Sequence, residues 1–285
     1  MATRPTPLGV GCLVLALVLV AGAAVAGLGL LRDRGLTPPI GGERCVATAA
    51  GRSVALDLEQ ARLTAIIVGL SVRRGLAPRA ASIAMATVYQ ETGIRNLDYG
   101  DRDSVGLFQQ RPSQGWGTPE QLQDPYYATG EFYDALVKVD GWETGDINDV
   151  AQAVQRSGYP EAYRDHEADG RVLASVLTGQ SGSAFSCLDR RDRAGNAAGV
   201  ASSLTETFGK LRPQRDGAVV TLTARSDTSA RAYAYHAVAN AAGFGVVEVQ
   251  TLGQVWRTSS QELPTWTDVA SPAPGGRRTV IITVR

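Results

Sequence analysis

An uncharged apolar run near the amino terminus, Leu8–Leu31, most constrains how this chain can be organised. A helix of that length crosses a hydrocarbon layer about 30 Å thick. Arg4 precedes the run and an Arg-Asp-Arg triplet follows at 32–34, so the flanking charges do not fix an orientation. The alternative is a cleaved signal peptide, because Ala-Val-Ala at 24–26 matches a small-residue cleavage site. Since the apolar run continues past that site, we predict an uncleaved single-pass membrane anchor with the bulk of the chain extracytoplasmic.

The charged residues balance, with 28 Lys plus Arg against 28 Asp plus Glu, so the overall charge gives no reason to expect nucleic-acid binding. The chain has 2 His and 3 Cys, and no pair of them has zinc-ligand spacing. We therefore predict neither a metal site nor an organic cofactor.

Composition and periodicity divide the chain into four parts. Residues 1–44 form a cytoplasmic tail, the anchor and a Pro- and Gly-containing linker. Residues 45–187 form a helical domain, because apolar residues recur at helical spacing from Asp57 and strand signals are nearly absent. Residues 188–205 form a second linker rich in Gly, Ala and charge. The first helix predicted for this domain begins near Asp57. Further predicted helices cover 78–91, 118–123, 127–139, 148–156 and 160–177.

Residues 206–285 are predicted to form a small α+β domain. Residues 218–224 alternate like a strand, 230–242 form an Ala-rich helix, and 246–252 and 278–284 give further strand signals. No acid–base constellation is evident in this part, and a protein partner is the role that we consider for it. His236 is interpreted as a packed or surface histidine, and at least one of Trp256 and Trp266 as a core residue.

Glu91 is the leading candidate for chemistry. It lies in the last turn of a helix that begins near Pro78 and ends at Gly93, where the helix dipole is negative. That dipole and apolar neighbours disfavour the ionised carboxylate, so its pKa is expected to be raised, as a general acid requires. The alternative is a solvated glutamate at a helix end.

Two short elements resemble the catalytic motifs of lytic transglycosylases and goose-type lysozymes. Gln90-Glu91-Thr92 is similar to their Glu-Ser element, and Gly106-Leu107-Phe108-Gln109 is similar to their Gly-Leu-Met-Gln element. The run 100–117 resembles a block in membrane-anchored extracytoplasmic actinobacterial proteins with a lysozyme-like domain. The resemblance covers roughly residues 45–187. It implies a mainly α, lysozyme-like domain that cleaves peptidoglycan glycan strands between N-acetylmuramic acid and N-acetylglucosamine, with Glu91 as acid and base.

The chain departs from that family at one element. Transglycosylases carry Ala-Tyr-Asn-Ala-Gly on a later helix, whereas residues 151–158 here read Ala-Gln-Ala-Val-Gln-Arg-Ser-Gly. Val154 and Gln155 or their neighbours replace the Tyr-Asn pair, and Tyr159 or Tyr163 is a candidate substitute for the tyrosine. This departure leaves an alternative function open, a catalytically inactive wall-binding or scaffold protein.

The polar loop 94–117 supplies three candidates for a second carboxylate, Asp98, Asp101 and Asp103. The resemblance to goose-type lysozymes places Asp101 or Asp103 near the position of their aspartate. A carboxylate separation of about 6.5–9.5 Å from Glu91 would permit inverting hydrolysis. The alternative is that these aspartates brace the loop through backbone amides and through Arg102 and Arg111. A calcium loop is a third option, but the later bidentate glutamate of an EF-hand is missing.

Polar and aromatic side chains of the same region are candidates for sugar binding. Gln109 and Gln110 carry amides suited to acetamido and hydroxyl groups, and Tyr99, Trp116 and Tyr159 offer flat apolar faces. The alternative for each is a packing role.

Cys45 and Cys187 bracket the domain covered by the resemblance. In the oxidising compartment expected for an exported protein, they are predicted to form a disulfide. Closing a loop of this size would stabilise the fold by on the order of 4 kcal/mol in the chain-entropy model. The alternative is two unrelated buried thiols.

Overall fold

Residues 42–159, 161–270 and 275–285 are described by the structure, which is a computed structural model. Contacts divide the chain into Met1–Gly42 and a compact unit, Glu43–Arg285. The predicted anchor, Leu8–Leu31, lies outside the described residues. Within the described ranges, no helix is both long and apolar enough to cross a membrane.

The compact unit combines helices with two antiparallel sheets, so the fold is mixed α and β. The helices are α1 (Leu58–Arg73), α2 (Pro78–Thr92), α3 (Pro119–Leu122), α4 (Pro125–Leu136), α5 (Ile147–Gln155), α6 (Glu167–Leu177), α7 (Ala197–Phe208), α8 (Asp227–Ala239) and α9 (Ala241–Phe244). Short 3-10 helices cover Pro112–Gln114 and Ala162–His166.

The first sheet corrects the expectation that residues 45–187 contain almost no strands. Its strands are β1 (Arg44–Ala49), β2 (Arg52–Leu56) and β3 (Phe185–Leu188), in the order β2-β1-β3. The pattern escapes notice because the buried positions of β1 carry the small residues Cys45 and Ala47. The turn after β1 uses Ala50 and Gly51, both with positive φ, in place of the Asn-Gly pair that usually marks such a hairpin.

The disulfide Cys45–Cys187 is present, which confirms the predicted pairing. The two cysteines face each other in the register of β1 and β3, and both are buried. The covalent bond therefore joins the two ends of the predicted helical domain within one sheet.

Helices α1 and α2 form the centre of the first half. Asp57 caps α1 by accepting bonds from the backbone amides of Glu59 and Gln60, and the Gln60 side chain accepts from the Asp57 amide. Helix α2 begins at Pro78 and ends at Gly93, which has the left-handed φ of 62° expected of a glycine cap. The predicted bounds of α2 are thus close to the observed ones, and they place Glu91 in its last turn.

The second sheet occupies the carboxyl-terminal half. Its strands are β4 (Gln214–Asp216), β5 (Val219–Thr223), β6 (Val246–Thr251), β7 (Gln254–Arg257), β8 (Thr267–Asp268) and β9 (Thr279–Val284), ordered β4-β5-β9-β6-β7-β8. Helix α8 packs against β6 and β9. The strand–helix–strand order predicted from the alternating and Ala-rich segments is therefore present.

The two halves share a packed interface within the compact unit. Helix α8 also packs against α1 and β3, and the Tyr235 hydroxyl donates to the Ser181 carbonyl at 2.9 Å. The Trp256 indole donates to Ser186 Oγ at 3.0 Å, and Trp256 is fully buried. Helix α7 occupies much of the segment assigned to a linker, 188–205.

His236 is a packed side chain, one of the two roles considered for it. It is buried in α8, and its Nε2 lies 2.8 Å from Ser203 Oγ. Burial lowers the pKa of its imidazole to about 4.

Candidate active site

Glu91 is half-buried at the carboxyl end of α2, and two side chains hydrogen bond to it. The Tyr163 hydroxyl donates to Glu91 Oε1 at 2.6 Å, and Gln155 Nε2 approaches the same oxygen at 3.3 Å. Tyr163 lies in the 3-10 helix before α6, and Gln155 is the last residue of α5. Three separate elements thus converge on one carboxylate.

The electrostatics of this cluster favour a protonated Glu91. Burial is the largest influence and raises the pKa of its carboxyl group, whereas the hydrogen bonds from Tyr163 and Gln155 oppose that rise. Burial and the neighbouring Glu91 charge in turn raise the pKa of the Tyr163 phenol, so Tyr163 stays a hydrogen-bond donor. A carboxyl group with a raised pKa, held by hydrogen bonds from two side chains, is suited to act as a proton donor.

The loop after α2 is attached to the same place through its backbone. Gln155 Nε2 donates to the Phe108 carbonyl at 2.6 Å, and Thr92 Oγ1 donates to the Leu107 carbonyl at 3.0 Å. Leu107 and Phe108 are fully buried and anchor the loop in the core. The Gly-Leu-Phe-Gln element therefore lies beside Glu91.

Gly106 permits a close backbone approach in this loop. Its φ is 79°, and a Cβ at this position would lie 2.2 Å from the Leu122 carbonyl oxygen of α3. Any larger residue would push the loop away from α3, so this glycine is required for packing between loop and helix.

Asp103 braces the loop. Its Oδ1 accepts from Arg111 Nε at 2.8 Å and its Oδ2 accepts from the Ser113 amide at 2.7 Å. The Ser113 amide and the Arg111 guanidinium hold the pKa of the Asp103 carboxyl well below its usual range. The Asp103 carboxylate thus holds the loop at the surface through Arg111 and the Ser113 amide.

Asp101 faces solvent. Its side chain is 93% exposed, and Arg102 lies 3.9 Å away. The Asp101 carbonyl accepts from the Ser104 amide, so its backbone closes a turn. The side-chain contacts of Asp103 are those of the turn-bracing alternative.

The two candidate glutamines also contact the protein itself. Gln109 has a left-handed φ of 48° and donates to the carbonyls of Tyr99 and Gly106. Gln110 is only 2% exposed and donates to the Ala128 carbonyl at 3.2 Å. Gln110 therefore fixes the loop against α4, while Gln109 is half-buried and remains partly accessible.

The candidate aromatic residues differ in exposure. Tyr99 is 68% exposed and Tyr159 is 76% exposed, so both present flat faces to solvent. Trp116 is half-buried, and its carbonyl accepts a hydrogen bond from the Tyr127 hydroxyl. Tyr163, rather than Tyr159, makes the hydrogen bond to Glu91.

An open groove of about 610 Å³ begins at Gln155. Trp116 and Val139 line its apolar part, and Lys138 and Arg156 line its charged part. Gln155 also contacts Glu91, so the groove and the Glu91 cluster share one side chain.

Gln155 and Tyr163 are weaker candidates in the sequence than in the structure. In the sequence, Gln155 is notable only as one of the residues that replace the Tyr-Asn pair of the transglycosylase motif. Tyr163 is notable only as an alternative to Tyr159. Position in the sequence is the signal that could have found them, because Gln155 lies within residues 151–158 and Tyr163 follows five residues after that stretch. The sequence does not reveal that a short 3-10 helix turns Tyr163 inward.

Among the residues that the structure describes, no group of three or more His, Cys, Asp and Glu side chains is arranged to hold a metal ion. No protein-family model matches the chain, and no curated protein sequence matches it significantly.

Proposed function

We propose that this protein cleaves the glycan strands of peptidoglycan with Glu91 as acid and base, in a lysozyme-like domain formed by residues 45–187. The observation that carries the proposal is the cluster around Glu91, in which Tyr163 and Gln155 hold a half-buried carboxyl group of raised pKa. This cluster adjoins the Gly-Leu-Phe-Gln loop and an open groove.

The expected reaction is that of a lytic transglycosylase. Glu91 donates its proton to the glycosidic oxygen, and the bond from that oxygen to the muramoyl C1 breaks. Glu91 then accepts the proton of the muramoyl C6 hydroxyl as that oxygen bonds to C1, which gives a 1,6-anhydro sugar. The reaction needs one carboxyl group and consumes no water.

The loop aspartates favour this route over hydrolysis. Asp103 is engaged by Arg111 and the Ser113 amide, and Asp101 is almost fully exposed beside Arg102. An inverting hydrolase needs a second carboxylate free to activate water across the scissile bond. These contacts give Asp103 another task and leave Asp101 in bulk solvent.

The proposed location is the extracytoplasmic side of a membrane, with Leu8–Leu31 as anchor. The disulfide Cys45–Cys187 supports this location, because disulfides persist in oxidising compartments. The glycan is the proposed partner, and exposed Tyr99 and Tyr159 offer stacking faces for its sugar rings.

The test is mass spectrometry of the fragments released from purified sacculi by the full-length protein. Glu91→Gln is the inactive variant. Glu143→Gln is the matched control, because Glu143 is an exposed glutamate outside the Glu91 cluster. We expect 1,6-anhydro products from the wild type and from Glu143→Gln, and none from Glu91→Gln.

Other outcomes separate the rival functions. Reducing-end products would show hydrolysis, and their loss in Asp101→Asn or Asp103→Asn would identify the second carboxylate. Binding of sacculi without any release would leave a wall-binding or scaffold protein and would refute the enzyme.

A further inference from the structure

The groove next to Glu91 is positively charged. Lys138 follows α4, and Arg156 is the residue that caps α5; both are exposed and line the groove. None of the described residues that line it is an Asp or Glu. An anion that entered this groove would meet two cations and no opposing carboxylate.

The backbone at Arg156 is unusual for an arginine. Its φ is 53° and its ψ is 42°, the left-handed conformation that helix ends usually assign to glycine. This conformation is less favourable for a residue with a Cβ than for glycine. Arg156 therefore ends α5 where a glycine is usual, and its side chain lines the groove.

We propose that Lys138 and Arg156 bind the carboxylates of the peptide that is attached to the muramic acid residue of the glycan. This inference rests on the proposed function. In a peptide-bearing strand the acetamido and hydroxyl groups are neutral and the lactyl carboxyl of muramic acid is bound in an amide, so negative charge comes from the stem peptide. A cationic groove that shares Gln155 with the Glu91 cluster would therefore bind strands with free stem-peptide carboxylates more tightly than strands in which those carboxylates are amidated.

The two cations would act on the ligand and not on the acid. Burial, Tyr163 and Gln155 govern the pKa of Glu91. Loss of either cation should therefore weaken binding and raise KM, while the pH dependence of kcat stays in place. A residue that merely maintained the fold would not separate these two quantities in this way.

The experiment measures binding with the full-length Glu91→Gln protein, so that no turnover is needed. Two probes are titrated: glycan strands with free stem-peptide carboxylates, and the same strands after chemical amidation of those carboxylates. We expect the acidic strands to bind about three- to tenfold more tightly than the amidated ones, the range for one or two exposed ion pairs.

Adding Lys138→Gln and Arg156→Gln should abolish this preference, and Lys138→Arg with Arg156→Lys should restore it. Lys210→Gln with Arg212→Gln is the matched control, because it removes two exposed cations that do not line the groove. Circular dichroism verifies that each variant is folded.

Equal affinity for acidic and amidated strands, with turnover of the wild type intact, would overturn the inference and leave the proposed function standing. Loss of the preference in the Lys210 and Arg212 control would also overturn it, since the effect would then be one of net charge. Absence of binding to every strand, together with absence of turnover, would overturn both.

Discussion

The Tyr163 hydroxyl donates a hydrogen bond of 2.6 Å to Glu91 Oε1, although 72 residues separate them in sequence. The bond stabilises the ionised carboxylate and so opposes the effect of burial, which favours the protonated form. The pKa of Glu91 thus depends on burial, which raises it, and on hydrogen bonds, which lower it. The bond from Tyr163 can be removed by deleting a single oxygen atom.

Tyr163→Phe should therefore raise the pKa of Glu91 further. If Glu91 acts as an acid, activity falls as pH rises through its pKa, so the alkaline limb of the pH–rate profile should move to higher pH. The plateau rate should fall by about tenfold, because the carboxyl group loses a charge-assisted bond that fixes its orientation. The profile is measured as the rate of fragment release from sacculi. An alkaline limb at the same or lower pH would contradict the assignment.

Glu91→Gln should stabilise the protein at pH 7, because it replaces a carboxyl group whose ionised form is disfavoured by burial. The folded pKa of Glu91 is raised, so the folded wild type binds more protons than the unfolded chain between the two pKa values. Wild-type stability therefore falls as pH rises through that window. The side-chain amide of the Glu91→Gln variant does not titrate in this pH range. Its oxygen can still accept a hydrogen bond from the Tyr163 hydroxyl.

Urea unfolding at a series of pH values tests this expectation. The advantage of Glu91→Gln over the wild type should grow from acidic to neutral pH and be small below the pKa of an unfolded glutamate, about 4.3. Glu143→Gln serves as the control, since its carboxylate is exposed. A constant difference at all pH values would show that Glu91 does not titrate abnormally.

Asp103→Asn and Asp101→Asn should differ in their effects on the loop. The first removes the charge that Arg111 and the Ser113 amide contact, so we expect faster hydrogen exchange at the Ser113 amide and in the loop around it. The second removes an exposed charge, and the free energy of unfolding should change by less than about 0.5 kcal/mol.

The pKa of Asp103 is lowered in the folded state, so its contribution to stability is present above the unfolded pKa of about 3.9 and is lost as pH falls. Protection of the loop in the wild type should therefore weaken in acid, and the Asp103→Asn variant should show no such change. Equal hydrogen exchange of the loop in Asp103→Asn and Asp101→Asn would show that Asp103 does not brace the loop.

Local signals explain which parts of this fold could be anticipated. The bounds of α2 follow from Pro78 and Gly93, because proline and glycine set backbone conformation directly. The strands around Cys45 could not be anticipated because alternation of small residues carries little hydrophobic contrast. The bond between Tyr163 and Glu91 depends on how α2 packs against the 3-10 helix, which no local pattern encodes.

Reduction of the disulfide Cys45–Cys187 supplies a test of how the fold is closed. The cysteines lie opposite each other in the register of β1 and β3, and 142 positions separate them in the sequence. Without the bond, the unfolded chain gains loop entropy, and the free energy of unfolding should fall by about 5 kcal/mol in the chain-entropy model. The double variant Cys45→Ala and Cys187→Ala should match the reduced wild type, because neither buried alanine leaves a polar group unpaired.

Thermal unfolding with and without dithiothreitol measures the difference, and the double variant is the control because the reductant should not alter its Tm. An identical Tm for the oxidised and reduced wild type would mean that backbone pairing of β1 with β3 is sufficient on its own to hold the sheet closed.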